Sequence, residues 1–273
     1  MSTRRSFVAR WALPQQLALL VLALLTWYPF VFLIATSVKT PQQFFENYWW
    51  FTFPFDWANY AQVWPKVSVA IFNSIQYSAG TLALVMVLSL LGGYTFGRMK
   101  FFGKNVLFLL VVALLMIPSV LTLVPLFVEV KAFKLLGTPW ALILPFTGFE
   151  IVIGIYIMRL FFERLPNELF QAARIEGANE VQLLLFVALP LALPGLGTVA
   201  ILDLLFTWNE LLWPLVTIGS ADKMPVAVAA LGFKGEHQVD YGALFAAYVS
   251  VSVPLMVLFV LVVRKFIKGI EGI

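Results

Sequence analysis

Long apolar stretches with few charged residues recur along the chain. A helix that crosses a membrane needs about 20 mostly apolar residues, and six stretches are long enough. They cover residues 17–36, 72–97, 106–128, 140–162, 184–206 and 243–263. All are too long for barrel strands and lack period-two alternation, and only helices and closed barrels satisfy their backbone hydrogen bonds in lipid. The pattern therefore predicts an all-α membrane protein with six transmembrane helices.

The composition supports this class of protein. Hydrophobic residues make up 62% of the chain and charged residues 12%, whereas an average soluble domain has about 25% charged residues. The chain has no cysteine, which excludes disulfides, thiolate nucleophiles and cysteine-ligated metal sites. His237 stands alone in a polar loop without a second ligand nearby, so no metal site is predicted.

The distribution of basic residues predicts the orientation. If the first segment starts in the cytoplasm, twelve basic residues fall in cytoplasmic pieces and six in the longer external loops. The positive-inside rule then places both termini in the cytoplasm, and the basic charge indicates topology, not nucleic-acid binding. The cytoplasmic set is Arg4, Arg5, Arg10, Arg98, Lys100, Lys104, Arg159, Arg164, Arg174, Arg264, Lys265 and Lys268. The external set is Lys39, Lys66, Lys131, Lys134, Lys223 and Lys234.

The chain is interpreted as one membrane domain, because neither a repeat nor a soluble domain interrupts the pattern. Residues 1–15 are expected to form a cytoplasmic N-terminus and residues 16–273 the transmembrane domain, with a core at about 72–264. The pair Arg4-Arg5 resembles a twin-arginine export signal. The apolar run after it is longer than a signal sequence requires and lacks a clean cleavage site, which favours a retained first helix.

The predicted cytoplasmic loop 163–183 is short and amphipathic. Asn167 can cap a short helix, and Gly177 fits the left-handed position that ends such a helix. Asn179, with Gln182 three residues later, matches a capping box for a second helix that enters the membrane. The loop therefore predicts a helix-turn-helix.

One face of the first loop helix suits contact with another protein. Four residues share that face at helical spacing: Leu169, Ala172, Ala173 and Glu176. The two alanines allow close approach of another surface. A helix lying on the bilayer is the alternative, but such helices present a larger apolar face and a Lys/Arg-rich polar face. The polar side here carries Glu168, in the first turn, Arg174 and Glu180.

The order of residues in this loop is specific. It contains Gln171-Ala172-Ala173, then Gly177 four residues after the second alanine, and it leads to Leu189-Pro190. This arrangement resembles the EAA loop of ABC importer permeases. From about Tyr28 to the C-terminus the chain is similar to the carbohydrate-uptake branch of that family, specifically to MalG-like subunits. The supporting segments are Phe72-Asn73-Ser74, Gly93-Tyr94, Arg98 to Lys104, Met116-Ile117-Pro118 and Trp208 to Pro214.

The resemblance implies a type I ABC importer permease fold. It also implies a function as the transmembrane permease subunit of an ATP-driven importer for a sugar or sugar-like solute. In such importers the EAA helix docks on a separate ATPase and couples its motion to alternating access. The implied ATPase-coupling residues are Glu168, Gln171, Ala172, Ala173, Arg174, Glu176 and Gly177. Gln171 replaces the first glutamate of the motif and so loses a charge. The chain ends with residues 269–273, a shorter tail than is usual. In the family such a tail can reach the ATPase interface, and that role is unsupported here.

The implied partners are a second, MalF-like permease subunit, a dimeric ABC ATPase, an extracytoplasmic solute-binding protein and membrane lipid, all at the inner membrane. ATP and magnesium would be bound by the ATPase, and this chain is expected to be non-catalytic and without a cofactor. Its nearest approach to a P-loop has five residues between Gly97 and Gly103 where four are needed, and Asn105 stands where Ser or Thr should bind magnesium.

Polar groups at membrane depth are candidates for the path of the solute. The candidate substrate-path residues are Asn73, Gln76, Tyr77, Glu150, Asp203, Trp208, Asn209, Glu210 and Trp213. The tryptophans and their polar neighbours offer the stacking faces and hydrogen-bonding groups that sugars need. Helix-to-helix hydrogen bonds or packing against a second permease explain the polar residues equally well, and interfacial anchoring explains the tryptophans.

Two other functions agree less well with the sequence. An ion-coupled secondary transporter could use Glu150 and Asp203 as coupling residues, but it would usually show internal repeats and would not need a cytoplasmic docking helix. An intramembrane enzyme would need paired carboxylates, a metal cluster or a Ser-Lys arrangement, and the sequence shows none on the predicted spans.

Overall fold

The computed structural model describes residues 3–232 and 240–267, and their side chains over 15–232 and 240–261. Within these ranges every regular element is a helix. The α-helices are α1 (Thr3–Ser37), α2 (Pro41–Glu46), α3 (Ala58–Arg98), α4 (Lys104–Ala113), α5 (Ser119–Ala132), α6 (Trp140–Arg164), α7 (Asn167–Ile175), α8 (Glu180–Gln182), α9 (Leu189–Asn209), α10 (Leu212–Thr217), α11 (Val226–Leu231) and α12 (Tyr241–Ile267). A π-helical segment, Leu183–Ala188, joins α8 to α9. His237, Lys234 and residues 269–273 lie outside the described residues.

Five stretches of the described chain are long and apolar enough to cross a membrane. They are Gln15–Ser37 in α1, Ala58–Arg98, Trp140–Arg164, Glu180–Asn209 and Tyr241–Leu261 in α12. Helices α4 and α5 form a sixth candidate as a pair that is bent by 98°. The predicted class, an all-α membrane protein, is confirmed.

The third predicted span, 106–128, is not one continuous helix but the bent pair α4–α5. Helix α4 ends at Ala113, a single 3₁₀ turn follows, and Ile117 has an extended backbone with ψ of 113°. Pro118 then precedes the first residue of α5. A proline disfavours helical backbone at the residue before it and lacks the N–H that would continue the hydrogen-bond ladder, so the span breaks here.

The described residues fall into two compact units. Those up to Pro65 and those from Gly232 to Ser252 form one unit; those from Lys66 to Leu231 and from Val253 onward form the other. In the first unit, the ring of Phe44 stacks on that of Tyr241 with centroids 4.3 Å apart.

The second unit has two apolar clusters. One gathers residues of α3, α6, α7 and α9: Val85, Tyr94, Met158, Phe162, Phe170, Ala192, Leu196 and Val199, with Ala188 of the π-helical segment. The other includes Tyr77, Val130, Leu142, Phe146 and Trp213. The first cluster is where α7 meets the membrane-crossing helices.

Two glycines allow α3 to lie very close to α6. A Cβ placed on Gly93 would lie 2.2 Å from Cβ of Met158, and one on Gly97 would lie 2.8 Å from Cβ of Phe162. Both distances are far below a van der Waals contact. The C-terminal part of α3 is therefore fitted closely against α6.

Candidate functional site

The predicted helix-turn-helix is present at residues 167–182. Gly177 has φ of 91°, the left-handed backbone that glycine adopts without strain. Oδ1 of Asn179 accepts a hydrogen bond from the backbone N–H of Gln182 at 2.9 Å, and Oε1 of Gln182 accepts from the backbone N–H of Asn179 at 2.9 Å. The sequence therefore correctly predicted the turn at Gly177 and the capping box.

The predicted cap at the start of α7 was wrong. Pro166 occupies the N-cap position and the helix has no side-chain cap. Asn167 is instead the first helical residue, and its Oδ1 accepts a hydrogen bond from Nη1 of Arg98 at 2.5 Å. Pro166 has the extended backbone that suits an N-cap, with ψ of 134°, which shifts the helix start by one residue.

Helix α7 is anchored by a single buried side chain. Phe170 is 2% exposed and packs into the apolar cluster with Tyr94 and Phe162. Leu169 and Ile175 are exposed, Ile175 to 87%. The predicted coupling residues lie around this anchor: Glu168, Gln171, Ala172, Arg174, Glu176 and Gly177 are exposed, and Ala173 is half-buried. The helix is thus fixed on one side and open to a partner on the other.

Side chains of α3 hold the loop at both of its helices. The hydroxyl of Tyr94 donates to Oε2 of Glu180 at 2.8 Å, and Arg174 pairs with Oε1 of the same glutamate at 2.9 Å. The guanidinium of Arg98 lies over the ring of Phe170, 4.2 Å from its centroid. Reasoning from sequence missed Tyr94, Arg98 and Phe170 as loop contacts. The four-residue spacing of the first two was the available signal, but it does not identify their partners.

A cavity lies beside α7. Its volume is about 330 Å³, and its lining includes Ala173, Glu176, Gly177, Gln182 and Phe186. Phe186 belongs to the π-helical segment and is 75% exposed. Most of these lining residues are small or polar, and Phe186 is large and apolar, so the cavity can accept a protruding side chain of another protein.

Two of the predicted substrate-path residues make hydrogen bonds within the chain. Nδ2 of Asn73 donates to the carbonyl oxygens of Asp222 and Met224 at 2.8 and 3.2 Å. The hydroxyl of Tyr77 donates to the carbonyl oxygen of Lys223 at 2.9 Å. These bonds fix the segment between α10 and α11 on α3. Gln76, between them in sequence, is exposed.

The residues around Trp208 are also placed by local contacts. Trp213 is 3% exposed, and its Nε1 donates to the carbonyl oxygen of Ala141 at 2.7 Å. Oε1 of Glu210 accepts from the backbone N–H groups of Leu212 and Trp213 at 3.0 and 3.3 Å. Trp208 is buried, and exposed Asn209 donates to the carbonyl oxygen of its own helix one turn earlier. These contacts orient Glu210 at the start of α10.

The two ionisable candidates lie near each other. Asp203 is fully buried, and within the described residues neither of its carboxylate oxygens has a hydrogen-bond partner. The half-buried Glu150 is close enough to interact with it electrostatically. The structure thus places the nine candidates at several points on α3, α6, α9 and α10, and their assignment to a substrate path stays a prediction.

Comparison with known proteins identifies the family. The model of the family described as binding-protein-dependent transport system inner membrane component matches residues 89–272. The chain belongs to this family. Membership confirms the predicted ABC importer permease, and the ion-coupled alternative is not favoured. It also implies partnership with an ATPase and a solute-binding protein. A multi-pass membrane protein from a family of transport proteins is consistent with a non-catalytic chain.

Two curated relatives and one solved structure are similar to this permease. It is 31% identical to the diacetylchitobiose uptake system permease protein NgcG of Streptomyces coelicolor, over 93% of this chain and 86% of the relative. It is 35% identical to the arabinooligosaccharides transport system permease protein AraQ of Halalkalibacterium halodurans, over 72% and 70%. A crystal structure of a bacterial ABC transporter involved in the import of the acidic polysaccharide alginate matches with a TM-score of 0.79 at 20% identity, over 95% of this chain and 97% of the other. This likeness shows the type I importer permease fold.

Two cavities of the permease adjoin each other at Phe149. The larger has a volume of about 530 Å³ and lies between α5 and α6, with Thr122 and Glu129 among mostly apolar lining residues. The smaller has a volume of about 50 Å³, and Glu210 and Trp213 are among its lining residues. The second of the described units therefore brings two of the predicted substrate-path residues to the edge of a cavity.

Proposed function

We propose that this permease is the transmembrane subunit of an ATP-driven importer for a sugar or sugar-like solute. In this proposal α7 and the turn at Gly177 dock on a dimeric ATPase and couple its motion to alternating access. The observation that carries the proposal is the construction of α7, which has one buried anchor, Phe170, and an otherwise exposed surface. A helix attached in this way can receive force from a partner and pass it to the membrane-crossing helices.

A saccharide as cargo is supported by relatives and by chemistry. The name of NgcG refers to a diacetylchitobiose uptake system and that of AraQ to an arabinooligosaccharides transport system, and both solutes are saccharides. Glu210 and the aromatic rings of Phe149 and Trp213 line one cavity. Aromatic faces with a carboxylate beside them provide the stacking and hydrogen bonding that sugar rings and hydroxyls require.

The orientation and the partners follow from the same proposal. The positive-inside rule puts both termini and residues 163–183 in the cytoplasm, where an ATPase can reach α7. A second permease subunit would complete the path, and a solute-binding protein would deliver the cargo on the other side. ATP and magnesium would bind to the ATPase, so the chain itself performs no chemistry.

The turn at Gly177 provides the test. Proline fixes φ near −65°, whereas Gly177 has φ of 91°, so Gly177→Pro must rebuild the turn. We expect it to abolish uptake of radiolabelled diacetylchitobiose and arabino-oligosaccharides by cells that produce the whole importer, while membrane insertion is retained. Gly137→Pro is the matched control, because Gly137 also has a positive φ, 73°, but lies in the turn between α5 and α6. It should leave ATPase binding unchanged.

Two results would contradict the proposal. One is proton-coupled uptake by this chain alone in liposomes, which would place the whole pathway in a single subunit. The other is a Gly177→Pro variant that co-purifies with an ATPase and still imports the same saccharides at the parental rate. Purification of the parent in mild detergent should bring down a second permease and an ATPase.

A further inference from the structure

The C-terminal end of α3 contacts both helices of the coupling loop, which we define as residues 165–182. Tyr94 and Arg98 are four residues apart and therefore lie on one face of α3. Tyr94 contacts the start of α8 through Glu180, and Arg98 contacts the start of α7 through Asn167 and Phe170. The loop is thus held at two points by adjacent turns of one helix.

The contact at Tyr94 closes the turn of the loop. Tyr94 is 4% exposed, and its hydroxyl donates to one oxygen of Glu180 while Arg174, in the last turn of α7, pairs with the other. Hydrogen bonds to a charged acceptor are shorter and stronger than those between neutral groups. Because one carboxylate bridges a residue of α3 and a residue of α7, it fixes α7, α8 and α3 relative to one another.

The contact at Arg98 secures the other end of the loop. Its guanidinium lies over the ring of Phe170 at 4.2 Å, and it donates to Oδ1 of Asn167 and to the carbonyl oxygen of Leu165. A planar guanidinium can stack and form several hydrogen bonds at once, which a lysine ammonium cannot do. Arg98 therefore fixes the position at which the chain leaves α6 and enters α7.

The glycines next to these two residues pack α3 against α6. Gly93 and Gly97 lie immediately before Tyr94 and Arg98 in sequence and bring α3 into close contact with Met158 and Phe162 of α6. The same two turns of α3 therefore pack closely on α6 and hold the coupling loop. Protein interiors packed in this way transmit displacements, since they have little free volume.

We propose that Tyr94 and Arg98 are positioning residues that make the coupling loop move as one body with α3. This inference rests on the proposed docking of α7 on an ATPase. It assigns the path by which a displacement of the docked α7 reaches the membrane-crossing helices. The displacement passes from α7 through Glu180 and Phe170 to α3, and from α3 to α6. Without these contacts α7 remains attached through Phe170 but swings independently of α3.

The absence of cysteine from the chain makes a spectroscopic test direct. Spin labels on Ile175→Cys in α7 and Val87→Cys in α3, both at exposed positions, report the distance between the loop and the helix. The importer is purified as the assembled complex and measured without nucleotide and with ATP plus vanadate. In the parent we expect one distance, which nucleotide leaves unchanged because both labels move together.

The Tyr94→Phe variant removes the hydroxyl and keeps the ring that packs with Phe162 and Phe170. We expect a second distance that the parent does not show, and a shift of the mean distance with ATP plus vanadate, while the ATPase still co-purifies. Glu180→Gln keeps an acceptor for Tyr94 and should show a smaller second population. Tyr156→Phe is the control, because its ring stacks on Phe108 and, within the described part of the chain, its hydroxyl has no hydrogen-bond partner.

The outcomes separate this inference from the proposed function. A Tyr94→Phe complex that keeps a single distance, unchanged by nucleotide, overturns the inference and leaves the docking of α7 intact. An equal second population in Tyr156→Phe overturns it too, because the effect would then be general loosening. A parent that co-purifies with no ATPase contradicts the proposed function, and the inference fails with it. Equal melting temperatures of the Tyr94→Phe and parent complexes distinguish detachment of the loop from unfolding.

Discussion

Lys39 is a single charged side chain that organises an aromatic segment. It is fully buried, and its Nζ donates to the carbonyl oxygens of Asn47 and Tyr48 at 2.6 and 3.2 Å. Its own carbonyl oxygen accepts from Nδ2 of Asn59 at 2.8 Å. Buried lysines need such partners, because an unpaired polar group away from water is costly. One residue thus connects the end of α1 and the segment after α2 through its side chain, and the start of α3 through its backbone carbonyl.

Replacing this lysine should destabilise the segment. In Lys39→Met the carbonyl oxygens of Asn47 and Tyr48 lose the hydrogen bonds that Lys39 donates to them, and a typical hydrogen bond contributes about 0.5–1.5 kcal/mol to stability. We expect a lower melting temperature in detergent and faster proteolysis within residues 41–57. Lys66→Met, at an exposed lysine, is the matched control and should behave as the parent. Equal proteolysis of the two variants would contradict this role.

The same lysine gives a pH dependence. Burial lowers the pKa of Lys39 below its ordinary value of 10.5. Between the folded and the unfolded pKa the unfolded chain binds more protons, so stability contributed by this group rises with pH in that window. The melting temperature of the parent minus that of Lys39→Met should therefore increase as the pH approaches 10.5. Calorimetry in matched buffers measures this difference. Parallel curves for the two proteins would show that Lys39 does not titrate differently on folding.

At the residue scale, the sequence identified which polar side chains make specific contacts, but it did not identify their partners. Asn73 and Tyr77 were identified from their polarity at membrane depth, and both are buried. Their acceptors are backbone carbonyls of residues 146 to 151 positions away. A backbone carbonyl has no sequence signature, so no pattern could have named these partners. A helix-to-helix hydrogen bond was one of the alternatives to a substrate contact. The observed bonds are similar, but their acceptors lie in the segment between α10 and α11.

At the scale of elements, Gly93 determines how closely α3 and α6 can approach. A Cβ there would meet Cβ of Met158 at 2.2 Å and its backbone carbonyl carbon at 2.9 Å. The backbone of Met158 cannot relieve this clash by a change of rotamer, as the end of a flexible side chain can. We therefore expect Gly93→Ala to separate the helices and to cost about 1–3 kcal/mol or more, as overpacking does. The measurement is thermal unfolding of the purified permease in detergent.

Gly148→Ala is the matched control for this change. Gly148 lies in α6, and a Cβ on it meets nothing within 4 Å, so only the higher helix propensity of alanine acts there. Its melting temperature should equal or exceed that of the parent. If Gly93→Ala melts at the same temperature as Gly148→Ala, the close approach of α3 and α6 is not required for stability.

Helices were predictable where an apolar run is continuous and less predictable where a proline interrupts it. Pro118 was visible in the sequence, but Pro65, Pro125, Pro145 and Pro254 all remain inside helices. Neighbouring helices and local adjustments can satisfy the backbone groups that a proline leaves free. Whether a proline kinks a span or breaks it therefore depends on tertiary contacts. The π-helical segment Leu183–Ala188, before Pro190, was not predicted.

At the scale of the whole molecule, the fold class followed from apolar length alone, because lipid leaves the backbone few alternatives. The helix-turn-helix at residues 167–182 followed from local chemistry: a glycine with positive φ and a capping box need only neighbouring residues. The substrate path did not follow, since it depends on which helices meet and on subunits that complete the importer. The number of membrane crossings did not follow from the sequence either, because it depends on whether the bent helix pair α4–α5 crosses the membrane.

The bent pair α4–α5 crosses the membrane if its two ends lie on opposite sides. Lys100 precedes α4, and Lys131 is in the last turn of α5; both are exposed. Since the chain has no cysteine of its own, Lys100→Cys and Lys131→Cys each introduce one thiol at a position that already carried a hydrated side chain. We expect a membrane-impermeant maleimide to label Lys131→Cys in intact cells, and Lys100→Cys only after the membrane is permeabilised, as the positive-inside rule requires. Ile175→Cys in α7 should behave as Lys100→Cys, because two crossings separate them. Labelling of Lys100→Cys and Lys131→Cys from the same side would make α4–α5 a re-entrant pair and leave five crossings. It would also contradict the contacts of Arg98 with α7, which put the end of α3 and α7 on one side of the membrane.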